Sequence, residues 1–333
     1  LQGGSALADT SSITVTAPAI LDIASAETIG TLLGDGSVTL SGGTVTVGAG
    51  TFTGVISGAN GLTKNTAGTL TLGGANTYTG DTTVSEGTLV VTGGAAIADT
   101  GAVVVNGGTF QVDTAEVIGS LAGGGSALLN AGLTTGGAGT DTSFSGPISG
   151  AGSLTKEGAG TFTLAGANSY SGGTTVNAGT LAGAAGAIQG DVLVNAAGTL
   201  RFDQAAAGTY AGALTGAGIV EKAGAGVLTL TGTNTGHTGA FNINAGTVSI
   251  GSETNFTTGA VTLSDATLQT TGATTLANAI TLDGVGTIDT GADTTVTGVL
   301  AGTAVLAACG VSSPGGGSPS SSARPARPLK KVS

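Results

Sequence analysis

The sequence predicts an all-β chain wound into a right-handed parallel β-helix, followed by a disordered tail. Three observations carry this reading. A long unit returns three times, glycine is in great excess, and apolar residues alternate with threonine on a strand period. The unit first runs from 57 to 90 as SGANGLTKNTAGTLTLGGANTYTGDTTVSEGTLV. It returns from 149 to 182 as SGAGSLTKEGAGTFTLAGANSYSGGTTVNAGTLA, without a gap, and from 215 to 250 in a more worn form. A repeat of this length is the signature of a solenoid. Glycine accounts for 65 of 333 residues. No glycine recurs at every third position, so collagen is excluded.

Within each copy the pattern is short strand, turn, short strand. In Thr69-Leu70-Thr71-Leu72 the leucines point to one side and the threonines to the other. Gly and Asn interrupt every few residues, where the chain must turn. Residues 1–56 open with the same alternation at Ile13–Thr16, Val38–Leu40 and Val45–Val47. A second echo joins LDIASAETIGTLLGDGS (21–37) to FQVDTAEVIGSLAGGGS (110–126). Between the copies, AVVVNGGTFQV, DVLVNAAGTLRF and AVTLSDATLQT each read as strand, tight turn, strand. At roughly 20–25 residues per coil, residues 1–306 give on the order of 13–15 rungs and a rod of roughly 60–75 Å. Parallel strands joined by crossovers are expected to coil right-handed.

A fourth copy begins at about 295 and breaks off. Thr295–Gly302 matches the lead-in at 51–58, and Leu306 stands where Leu62 does, but Ala308 stands where the lysine belongs. Residues 307–333 turn rich in Pro and Ser and are expected to be disordered. The rung near Thr295–Leu306 is then expected to end in an open strand edge.

Composition narrows function. Net charge is −11, with 19 acids against 8 bases. Residues 1–308 contain only Lys64, Lys156, Arg201 and Lys222 as bases, which argues against nucleic acid. The single cysteine, Cys309, allows no internal disulfide, and no segment reaches the length of a membrane helix. The chain starts at Leu1 without a basic leader and reads as a fragment.

The repeats resemble the passenger-associated transport repeat of Gram-negative autotransporters. The residues that carry the likeness are Leu62-Thr63-Lys64, Gly68–Leu72, Gly74–Gly80 and Gly87–Leu89, with their counterparts from 149 and 215. The resemblance implies a β-helical passenger at the cell surface, exported by an outer-membrane β-barrel translocator. It implies a non-enzymatic stalk or adhesin-like segment whose repeats support export and folding. Its expected partners are a host or neighbouring-cell surface or a polysaccharide. A polysaccharide-active β-helical enzyme and an ice- or crystal-binding threonine array are the alternatives.

No catalytic, cofactor or metal residues are expected. His237 is the only histidine, and it stands before Thr238-Gly239 as Tyr78 stands before Thr79-Gly80 and Tyr170 before Ser171-Gly172. It is read as filler of that aromatic slot, so His237→Tyr is expected to preserve or slightly raise the melting temperature. Gly136–Phe144 resembles a calcium nonapeptide, but Ser143 stands where a large apolar residue belongs and no second copy follows. Lys64, Lys156 and Lys222 share one repeat position and are expected to be solvated turn lysines. The Thr-x-Thr pairs at 44/46, 51/53, 69/71, 77/79, 161/163 and 229/231 are too irregularly spaced for a flat array. Leu306–Cys309 mimics a lipoprotein box, at the wrong end of the chain.

Overall fold

The computed structural model describes residues 1–3, 6–290 and 293–302. Leu306, Ala307–Cys309, the break of the fourth copy, its open edge at 306 and the tail 307–333 all lie outside these residues. The described chain is a β-solenoid of about 14 turns. Every strand pairing within it is parallel, and one 3-10 turn, Glu253–Asn255, interrupts the strands. No helix is long and apolar enough to cross a membrane.

Register fixes the coil. Leu62 stacks on Thr82 and Thr82 on Val103; elsewhere Phe110 stacks on Ala127. Those steps are 20, 21 and 17 residues, so these coils run near or below the short end of the length expected from the sequence. The turn-linked pairs are corners rather than hairpins. Ala102–Val105 and Thr109–Val112 each pair with neighbouring rungs, not with each other. Val192–Asp203 passes through its corner as one bent strand.

The pleat decides what is inside. Leu70 and Leu72 are fully buried while Thr69 is exposed and Thr71 half-buried. One continuous core of Val, Leu, Ile and Phe runs the length of the coil. All ten aromatics lie in it, Tyr210 and Tyr170 being the most exposed at 2%. Close stacking leaves no room above certain glycines. A Cβ on Gly146 would sit 1.5 Å from the Gly125 carbonyl one rung below.

The repeat copies are not aligned along the rod. One column of direct partners runs from Lys64 through Val84, Val105, Gly123, Phe144, Leu164, Gly183 and Phe202 to Lys222. Copies one and three therefore present their lysine strand on the same face. Lys156 stands in a different column, between Thr135 and Val176. Copy two is turned by one face.

Threonine does form in-register columns, which irregular spacing in sequence does not suggest. Thr28, Thr46, Thr63 and Thr83 stack directly. The Thr-x-Thr pairs lose register quickly, however. Thr71 lies on Thr51 but under Val90, and Thr163 lies between Ser143 and Ala182.

Candidate functional site

The three repeat lysines are buried, which corrects the expectation of solvated turns. Lys64, Lys156 and Lys222 are each 0% exposed. The reason lies in corner length. From the inward residue to the first leucine or phenylalanine of the next strand, lysine corners take six residues, as in Lys156 to Phe162. The plain corners Val84 to Leu89 and Val176 to Leu181 take five. The extra residue turns carbonyls inward, and the ammonium takes them. Lys156 Nζ donates to Glu157 O at 2.6 Å, Gly158 O at 2.8 Å and Ala178 O at 3.2 Å. Lys222 Nζ repeats this with Ala223 O, Gly224 O and Ala245 O at 3.0, 2.6 and 3.0 Å. Lys64 Nζ donates to Thr66 O and to Glu86 O.

In every copy the last acceptor belongs to the next rung, just before a glycine with positive φ: Gly87, Gly179 or Gly246. Each lysine thus ties two consecutive corners together. Charge-assisted bonds of this kind are stronger than neutral ones. Burial lowers the pKa of all three ammonium groups, and nearby acids (Glu86; Glu157 and Asp141; Asp203) act against it.

The asparagine of each copy is a second bridge. Asn76 Oδ1 accepts Ile56 N–H from the rung before, at 2.7 Å, and Nδ2 donates to Ala96 O of the rung after, at 2.6 Å. Asn168 spans Ile148 N and Ala187 O, and Asn234 spans Leu214 N and Asn255 O. A buried amide between two strands satisfies groups that the loops leave unpaired. Asn76 lies within the Gly74–Gly80 stretch that carries the repeat likeness, but its bridging role is not legible there. The asparagines' constant place two or three residues before the aromatic slot was the available signal.

The aromatic slot is confirmed as a core position, and His237 fills it at 0% exposure. Its neighbour differs between copies. Tyr78 and Tyr170 bond to Thr82 and Thr174 through their hydroxyls, at 2.6 and 2.8 Å. The counterpart of those threonines in copy three is Phe241, which pairs with Val220 as Thr82 pairs with Leu62. Large plus small has become small plus large. His237 Nε2 lies 3.0 Å from Gly218 O, which can only accept, and Nδ1 lies 2.8 Å from Thr257 Oγ1. Burial lowers the His237 pKa, with the Gly218 bond opposing.

The second echo also carries a buried polar residue. Glu27 and Glu116 occupy equivalent places, at 3% and 1% exposure. Glu27 accepts Ala6 N–H and Leu7 N–H, and Glu116 accepts Ile97 N–H at 2.7 Å. Gln204 does the same for Ala185 N–H with a neutral side chain. Burial pushes the Glu116 carboxyl above the usual range, the Ile97 and Ala96 amides pull it down, and Asp99 adds to the rise.

On the surface, Asp141, Thr142, Ser143, Thr161, Thr163 and Arg201 line a shallow notch. Arg201 and Asp203 form a two-point ion pair, Nε–Oδ1 at 2.9 Å and Nη2–Oδ2 at 3.1 Å. The Gly136–Phe144 segment contributes the rim of this notch. Asp141 Oδ1 there accepts Thr161 N–H at 2.7 Å. No group of three potential metal ligands occurs among the described residues.

The three clamped units coincide with a known repeat. The passenger-associated transport repeat matches residues 62–91, 154–182 and 220–250, each spanning one lysine clamp and one asparagine bridge. The solenoid carries three transport-type repeats. A stretch of 132 residues is also 39% identical to the adhesin BmaC autotransporter of Brucella suis biovar 1 (strain 1330). The match covers 35% of this chain and 4% of that protein, so the chain spans only a small part of its relative's length. In the three matched segments, a lysine, an asparagine and an x-Gly-Thr corner recur and bond across rungs.

Proposed function

We propose that the chain is a surface-exposed segment of an autotransporter passenger, residues 1–306 forming its β-helical part. In this reading it is a structural stalk and adhesive surface rather than an enzyme. The observation that carries it is the threefold clamp. Each transport repeat uses one buried lysine and one buried asparagine to tie its rung to its neighbours. A rung so tied brings stability of its own to the stack, and rungs added beside it gain a template. That is the property a chain needs if it is to fold after crossing a membrane. The partner implied on the export side is an outer-membrane β-barrel translocator. On the outer side it is a host or neighbouring-cell surface, or a polysaccharide.

The test is to place the chain between a secretion signal and an outer-membrane barrel. Fluorescent antibody and added protease should then find folded, protease-resistant passenger outside intact cells. Retention inside the cell, with the fold intact in vitro, would count against the reading. Variants carrying methionine at all three lysine positions should reach the surface in a protease-sensitive form.

A further inference from the structure

The Arg201 notch carries an assignment of its own, resting on the surface-passenger reading only for its exposure to an outside ligand. Arg201 lies in one outward column with Ser143, Thr163, Ala182 and Glu221 as successive partners. Between Thr163 and Arg201 the column carries only the buried methyl of Ala182. The two polar groups therefore stand two rungs apart, about 10 Å at the usual strand spacing. The notch is lined by Thr142, Ser143, Thr161 and Thr163, with Asp141 beside them. Lys64, Lys156 and Lys222 are buried, so Arg201 is the one solvent-exposed basic side chain among the described residues, its side chain 35% exposed.

We propose that this notch binds a neutral, hydroxyl-rich ligand, the terminal sugar of an uncharged glycan. Charge selects against an acidic one. Asp203 already holds the guanidinium, Glu221 is its partner on the next rung, and Asp141 faces the same space. One cation against three carboxylates repels a carboxylated sugar. The Arg201 guanidinium and the Asp141 carboxylate, both lining the notch, offer it donors and acceptors, the set that sugar hydroxyls satisfy. The guanidinium is held in place by Asp203 before any ligand arrives, which lowers the ordering cost. Every aromatic is in the core, so no ring is available to stack on a sugar face. Affinity for a single sugar is therefore weak, roughly millimolar, and useful adhesion requires many copies.

The experiment is a magnetic-resonance titration of the isotope-labelled full chain. The probes are neutral methyl glycosides of galactose, glucose, mannose and N-acetylglucosamine, with N-acetylneuraminic acid as the charged comparator. Saturable shifts are expected at the Arg201 Nε–H and the Ser143 and Thr163 amides with at least one neutral glycoside. Arg201→Ala should weaken binding by about tenfold or more, while Thr287→Val, on a distant rung, should leave it unchanged. Circular dichroism establishes that both variants are folded. No saturable shift with any neutral glycoside, binding of the acidic sugar alone, or binding indifferent to Arg201→Ala would overturn the assignment. Arg201→Ala is expected to leave surface display intact. Intact display without sugar binding would sink the notch and leave the passenger reading, and the converse result would do the reverse.

Discussion

Replacing Lys156 by methionine preserves the bulk of the side chain and removes its charge. Three inward carbonyls, of Glu157, Gly158 and Ala178, then lose their donor. The expected cost is on the order of 3 kcal/mol, measurable by denaturant unfolding, because orphaned buried acceptors are expensive. Glu116 behaves in the opposite sense. Its carboxyl titrates above the ordinary value of 4.5 in the folded chain. Its contribution is therefore most favourable below that pH and is lost as pH rises through the raised folded value. Glu116→Gln should raise the melting temperature at neutral pH and flatten that slope, as Gln204 already serves the same role uncharged. His237 titrates below its ordinary 6.5 when folded. Stability from it is complete above that pH and is lost as pH falls below it towards the folded value. His237→Tyr should remove this acid slope but lower the melting temperature, against the expectation of tolerance, because the new ring meets Phe241. The double change His237→Tyr with Phe241→Thr rebuilds the pair of copies one and two and should recover most of the loss.

At the scale of the corner, the clamp depends on glycine at particular places. Gly179 has φ +62°, and a Cβ there would lie 2.3 Å from Gly158 O and 2.6 Å from Gly160 O. Those carbonyls belong to the lysine corner of the rung below. Gly179→Ala should therefore cost about 1–3 kcal/mol or more, from backbone strain with steric conflict added. Gly186 has nothing within 4 Å of such a Cβ, and Gly186→Ala should change the melting temperature little. Equal effects from the two would show that the corners are softer than their geometry implies.

At the scale of the whole coil, the strand pairings of the described residues join neighbouring rungs, so a local defect should stay local. Amide exchange in Lys156→Met is expected to accelerate through the strands Leu154–Lys156 and Thr174–Gly183. Strands three or more rungs away, such as Leu62–Leu72, should keep their protection. Acceleration throughout the coil would mean that it unfolds as one unit.

Much of this could be read in the sequence. Period-two alternation at Thr69–Leu72 placed Leu70 and Leu72 in the core, because a strand has only two faces. The repeat gave the solenoid and the likeness to the transport repeat, and the shared position of Tyr78, Tyr170 and His237 gave the aromatic slot. The lysines defeated the same logic. Charge in a glycine-rich turn reads as solvent-facing, and only the path of a corner one residue longer shows carbonyls turned inward to receive it. Glu116 and Asn76 were hidden for the same reason, since their partners lie about twenty residues away on adjacent rungs. Turning copy two by one face likewise depends on summed rung lengths, which no single repeat contains. The Arg201 notch is the extreme case: Asp141, Thr163 and Arg201 are neighbours only because the coil stacks them. Sequence alone determined which apolar residues face inward along each strand, a local property of the backbone. Tertiary structure decided which of them meet across rungs, because register in a solenoid accumulates from every corner before it.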